Sequence, residues 1–114
     1  MIETTIRQYL LEQLEYPIWT EIPEDKPERF YILEKTGGGK TNHIDEASIV
    51  IQSYAPSMHE AALMNETVKS AMENMITLDS ISRVYINSDY NFTDPSTMQY
   101  RYQANFIITY YEGS

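Results

Sequence analysis

The chain has 114 residues, 42% of them apolar and 22% charged, which suits one domain with its own core and is too short for two. Eight Lys and Arg against seventeen Asp and Glu leave a net charge of −9, a balance that repels phosphate backbones and argues against a sequence-reading DNA or RNA binder. The absence of cysteine excludes disulfides, thiolate metal sites and cysteine nucleophiles together, so burial of apolar surface must hold the fold.

Ile2, Ile6, Tyr9, Leu10 and Leu14 recur at helical spacing, so residues 2–15 are expected to form an amphipathic helix stopped by Pro17. Glu3, Arg7, Glu12 and Glu15 interrupt the same stretch, which is therefore not expected to act as an export signal. No later stretch approaches the roughly 20 apolar residues of a membrane helix, and a protein made and kept in the cytosol, or assembled into something there, with no membrane partner is expected. Pro17, Pro23 and Pro27 then impose extended or turning chain, with Ile18, Trp19 and Ile22 available to pin it to the core and a short extra strand conceivable at Trp19. Arg29 to Thr36 is rich in β-formers and reads as a strand. Gly37-Gly38-Gly39 and Lys40-Thr41-Asn42 follow, so residues 36–46 are expected to form a flexible glycine-rich loop. Glu46 to Tyr54, with Ile49, Val50 and Ile51 in a row, reads as a central strand covered on both faces.

Ser57-Met58-His59-Glu60 is a capping box, in which hydroxyl and carboxylate each satisfy the other residue's amide. Ala61, Met64, Val68, Ala71, Met72 and Met75 form one apolar face of the helix it opens, which is expected to run to about Ile76. Ile81 to Asn87 reads as a short strand, and residues 89–98 as a long turn that carries Tyr90 and Phe92. Strict alternation marks the last strand, with Tyr100, Tyr102, Ala104, Phe106, Ile108 and Tyr110 on one face. Its other face carries Gln99, Arg101, Gln103, Asn105, Ile107 and Thr109. The expectation is a single α+β domain over residues 1–114, in the order α-β-β-α-β-β. Two helices would cover one face of a mostly antiparallel (mixed) sheet of four to five strands.

Sites that invite a chemical reading lack their partners. A P-loop ending in Gly39-Lys40-Thr41 requires glycine where Glu34 stands, and a helix after Lys40 where the pattern shows turn and strand. His43 lies beside Asp45 and Glu46, and His59 beside Glu60. A zinc-protease helix would require histidine at Leu63, so no metal site is assigned. No serine or threonine stands in a nucleophile-elbow pattern. No catalytic residue, cofactor or metal is expected, and the chain is not read as an enzyme.

Met58, Met64, Met72 and Met75 read either as core filler or as an adaptable binding surface. The ten tyrosines, four of them on the final strand, read either as a sheet face with hydroxyls at its rim or as interface anchors.

Three stretches, in this order, carry a resemblance to a known family. The first is Pro23, Pro27, Glu28, Arg29 and Phe30 running through Glu34, Thr36 and the glycine triplet. The second is Gln52, Tyr54, Ala55 and Pro56 followed by Glu60-Ala61-Ala62. The third is Tyr90-Asn91-Phe92 with Asp94-Pro95, then Gln99, Arg101 and Tyr102. Together they resemble the tail terminator (tail-completion, head–tail joining) proteins of long-tailed bacteriophages and prophages, and the likeness spans about residues 17–112.

This resemblance implies a structural part of the virion: a small subunit that forms a homo-oligomeric ring, commonly of six. Such a ring sits on the head-proximal end of the tail tube, ends tube polymerisation and docks to the head connector or neck proteins. DNA would pass its acidic bore without sequence-specific binding. Gly37, Gly38, Gly39, Lys40 and His43 form one candidate subunit interface, and Tyr90 and Phe92 the other, because a ring requires two unlike patches per subunit. The alternatives are another neck component, such as a head-closure or adaptor protein, and a small ligand-binding or regulatory α+β domain with an apolar cavity.

Overall fold

The computed structural model describes residues 1–41, 44–97 and 99–111. Helix α1 (Ile2–Gln13) buries Ile2, Ile6 and Leu10, one residue per turn on one stripe. It ends two residues before the expected limit, because Leu14 is already extended (φ −102°, ψ 145°). The chain must straighten ahead of Pro17, which disfavours helical backbone in the residue before it. Strand β1 (Ile18–Trp19) then pairs in parallel with β2 (Phe30–Thr41). Arg7 Nε donates to the Ile18 carbonyl at 2.9 Å and ties α1 to β1.

The glycine-rich segment corrects the expectation of a flexible loop over 36–46. Strand β2 runs through the triplet to Thr41, and β3 (Ile44–Ala55) starts earlier than expected. Gly37, Gly38, Gly39 and Lys40 pair with Ser48, Ala47, Glu46 and Asp45. Glycine has little strand preference of its own. Here the partner strand is held on its other side by β5 (Tyr100–Tyr110), down to the Asp45–Tyr110 pair, and so offers a fixed template. Gly38 also has a steric reason to be glycine, since a Cβ there would come within 3.3 Å of the Glu46 carbonyl. Asn42 and His43 lie outside the described residues.

Helix α2 (Met58–Asn74) begins at Ser57, whose hydroxyl accepts from the Glu60 amide at 3.2 Å. The reciprocal half of the expected capping box is absent. Glu60 does not reach back to the Ser57 amide; its carboxylate takes Arg29 Nη2 at 2.7 Å and Nε at 3.1 Å. Replacing Ser57 with Ala should cost about 1 kcal/mol, the usual loss of an N-cap acceptor, read as a lower denaturant midpoint with unchanged slope. An unmoved midpoint would refute the cap.

After a short 3-10 turn (Met75–Thr77), β4 (Ile81–Asn91) pairs antiparallel with β5. β4 is longer than expected, and the long turn over 89–98 is correspondingly shorter. Asp89, Tyr90 and Asn91 are strand residues opposite Ala104, Gln103 and Tyr102, and Asp94 bridges Gln99. Met98, at the end of that expected turn, lies outside the described residues. Three tyrosines fall within β5, and Tyr111 lies just past its end.

The sheet is five-stranded and mixed, in the order β1-β2-β3-β5-β4, and with its two helices forms an α+β fold. One cluster joins Ile6 and Leu10 of α1, Val68 and Met72 of α2, and Leu33, Ile49, Ile51, Phe106 and Ile108 of the sheet. Met64, Met72 and Met75 are buried in that cluster, which makes them core residues. Tyr9 on α1 donates its hydroxyl to the Ala71 carbonyl at 2.8 Å, linking the two helices. On the opposite face of the sheet a smaller cluster of Phe30, Ile32 and Tyr54 packs with Trp19.

Candidate interaction surface

That opposite face repeats in cross-strand rows. Phe30 faces Tyr54, Tyr54 faces Arg101, and Arg101 lies next to Phe92, whose amide donates to the Arg101 carbonyl at 2.8 Å. The next row is Ile32, Gln52, Gln103 and Tyr90. The row of aromatics is continuous: Trp19 tilts against Phe30 at 5.9 Å between centroids, and Phe30 stacks on Tyr54 at 4.6 Å. The Arg101 guanidinium then spans Tyr54 and Phe92, and Phe92 meets Tyr90 edge-on at 5.7 Å.

A relay of hydrogen bonds braces these rows. Arg101 Nη1 donates to the Tyr54 hydroxyl at 3.0 Å, which donates to Gln52 Oε1 at 2.7 Å. Gln52 Nε2 donates to Gln103 Oε1 at 2.9 Å, and Gln103 Nε2 to the Tyr90 hydroxyl at 2.7 Å. Each amide is used as donor and acceptor, so every member fixes the orientation of the next. Period-two alternation already placed Arg101, Gln103 and Asn105 on one face; their partners Gln52 and Tyr54 became visible only with the strand register.

The residues expected at subunit contacts do not come together. Tyr90 lies on the β4 edge with Phe92 just past the strand's end. Gly37, Gly38, Gly39 and Lys40 lie on the β2–β3 hairpin, toward the opposite edge of the sheet. Among the described residues β1 covers only Tyr31 and Ile32 of β2, and the rest of that strand, glycines included, is paired on one side alone. Lys40 sits opposite Asp45 in a strand ladder, with no helix N-terminus behind it to hold a phosphate.

Lys69 on α2 and Asp89 on β4 are engaged with each other on the helix side. Lys69 Nζ lies 2.9 Å from Asp89 and 3.1 Å from Glu66, and the Asp89 hydrogen bond raises its pKa. Asp89 also accepts from Nδ2 of the buried Asn65 at 2.9 Å. Asp94 is held below the usual carboxylate range by hydrogen bonds from the Ser96 side chain and backbone.

Tyr31 is buried beneath α2, with its hydroxyl 3.4 Å from the Met64 carbonyl, and burial pushes its pKa well above the ordinary 10.0. Above pH 10 the unfolded chain gives up this proton while the folded chain keeps it, so stability falls as pH rises toward the folded-state value. Tyr31→Phe should therefore flatten alkaline destabilisation, by up to about 1.4 kcal/mol per pH unit above pH 10. Equal pH profiles of denaturant stability for variant and wild type would contradict this.

A depression of about 580 Å³ lies where α1 meets β1 and β2. Its walls include Glu3, Glu21 and Glu34 against Arg7 and Lys35, so it is a mixed-charge hollow and not an apolar enclosure. Among the described residues no His, Asp and Glu side chains are grouped to hold a metal ion, and no helix is long and apolar enough to cross a membrane. No protein-family model matches the chain, and no curated protein is significantly similar to it.

Proposed function

We propose that this chain is a structural subunit of a phage tail terminator: a homo-oligomeric ring, of six copies on the family pattern, that ends the tail tube and joins it to the head. The resemblance over residues 17–112 motivates this reading. The observation that carries it is the β2–β3 hairpin, whose exposed glycine-rich strand is, among the described residues, paired on one side only, away from the β4 edge where Tyr90 stands. A subunit with unlike free surfaces at opposite edges of its sheet is suited to head-to-tail closure. The net charge of −9 suits a ring through which DNA must slide without sticking. Tail tube protein and the head connector are the partners on this reading, and the assembly forms in the host cytoplasm and remains in the virion.

Electron microscopy of the purified protein mixed with tail tubes tests the reading. Capped tubes of uniform length are expected, and tubes that keep growing would overturn it. Deleting Gly39 and Lys40 together with their partners Asp45 and Glu46 shortens the hairpin without changing register. The product should be folded by circular dichroism and should no longer cap tubes. Capping by the shortened chain would remove the hairpin from the mechanism.

A further inference from the structure

Charge is unevenly distributed over the helix-free face. Along its β4 side run Arg83, Tyr85, Tyr90 and Phe92, with Arg101 beside Phe92 on β5. Tyr85 is 48% exposed, and Tyr90 and Phe92 are 41% exposed. Arg83 lies 5.4 Å over the Tyr85 ring and Arg101 4.5 Å over Phe92. Among the described residues neither guanidinium has a carboxylate at ion-pair distance, in contrast to Arg29 and Lys69. Asp89 and Asp94, the acids that lie between Arg83 and Arg101 in sequence, are committed to Asn65 with Lys69 and to Ser96. Tyr90 accepts from Gln103 and keeps its own hydroxyl hydrogen for a further acceptor. The stripe is cationic, aromatic and short of anions.

The other edge of the same sheet is its complement. The irregular segment between β1 and β2 carries Glu21, Glu24, Asp25 and Glu28 against Lys26 and Arg29; Arg29 is half-buried and pairs with Glu28 and Glu60, which leaves Glu21, Glu24 and Asp25 exposed with Lys26. Among these carboxylates stands Ile22, 48% exposed. An apolar side chain flanked by anions matches aromatic rings flanked by guanidiniums.

We infer that these two surfaces are the halves of one contact between copies of this chain. Ile22 with Glu21, Glu24 and Asp25 of one copy docks on the Arg83–Tyr85–Tyr90–Phe92–Arg101 stripe of the next. This rests on the reading of the chain as a ring subunit and adds which surfaces meet. Two copies each carrying −9 repel one another in most orientations, and the stripe is where a second acidic copy is attracted. Because the halves lie at opposite edges of one sheet, the contact is heterologous and repeats head to tail.

The test uses two variants of the full chain, each broken in one half. The first is Arg83→Glu with Phe92→Ala; the second is Glu24→Arg with Asp25→Arg. Circular dichroism checks folding, and Arg83→Glu alone, at an exposed site, serves if the first double variant does not fold. In sedimentation velocity over a rising concentration series, wild type should associate beyond a dimer. Each variant alone should associate at least about tenfold more weakly, since like charges then face each other. Their equimolar mixture keeps one intact contact and sets the reversed charges of the other against each other, so it should associate again, to a dimer or beyond. A wild type that stays monomeric, variants that associate like wild type, or a mixture that does not associate would each overturn the inference. Tube capping separates the two readings. If both variants cap tubes as wild type does, this contact is wrong and the ring function stands. If wild type fails to cap while the mixture associates, the contact stands and the ring function falls.

Discussion

Phe106→Ala is expected to lower stability by about 3–5 kcal/mol, a large share of the roughly 5–15 kcal/mol that holds a domain together. Phe106 is fully buried at the centre of β5, opposite Ile49 on β3 and Ile86 on β4, in the cluster shared by both helices. Three neighbours on its own face of the sheet, Ala104, Ile108 and Ile49, are also completely enclosed, so the void cannot be filled by solvent and little can collapse into it. Urea unfolding should show a lower midpoint with the slope kept. The half-buried Ile107, one residue on and pointing to the other face, should lose distinctly less on truncation to Ala. A loss below about 1.5 kcal/mol at Phe106 would mean that the two helices and the sheet do not share one core.

Phe30→Ala is expected to cost about 3 kcal/mol, at the lower end for an aromatic truncation. Phe30 is buried by its stack on Tyr54 and its tilted contact with Trp19, and aromatic pairing adds about 0.5–1.5 kcal/mol to the area it buries. The cluster is small and Trp19 is partly exposed, so the site can relax and admit water. Trp19 is the single tryptophan of the chain and reports the change directly. Its emission should shift to the red in the folded variant, while Phe106→Ala leaves it in place. An unshifted emission with full loss of stability would mean that Trp19 is held by something other than Phe30.

Helix α2 was readable because its signals are local: Ser57 three residues before Glu60, then apolar residues at a 3.6-residue period. The last strand was readable because a period of two over Tyr100–Tyr110 leaves one face for the core. The fate of Glu60 was not readable, since its salt-bridge partner Arg29 lies 31 residues away and arrives through β2. The candidate surface was legible in part. Tyr90 and Phe92 could be singled out as aromatics near a turn, whereas the relay from Arg101 through Tyr54, Gln52 and Gln103 depends on which residues the register sets opposite one another.

The glycine triplet shows the boundary most clearly. Sequence alone determined the α+β class, the capped helix, the buried face of β5 and the lack of a P-loop pattern, because each follows from residues close together in the chain. Only the tertiary structure decided that Gly37–Gly39 is strand, that β4 extends through Asn91, and that the hairpin and the aromatic stripe lie toward opposite edges of the sheet. Strand pairing is the physical reason. A glycine run or a Tyr-Asn pair has no strong preference of its own, and takes the conformation that lets its backbone bond to a neighbour already held in place.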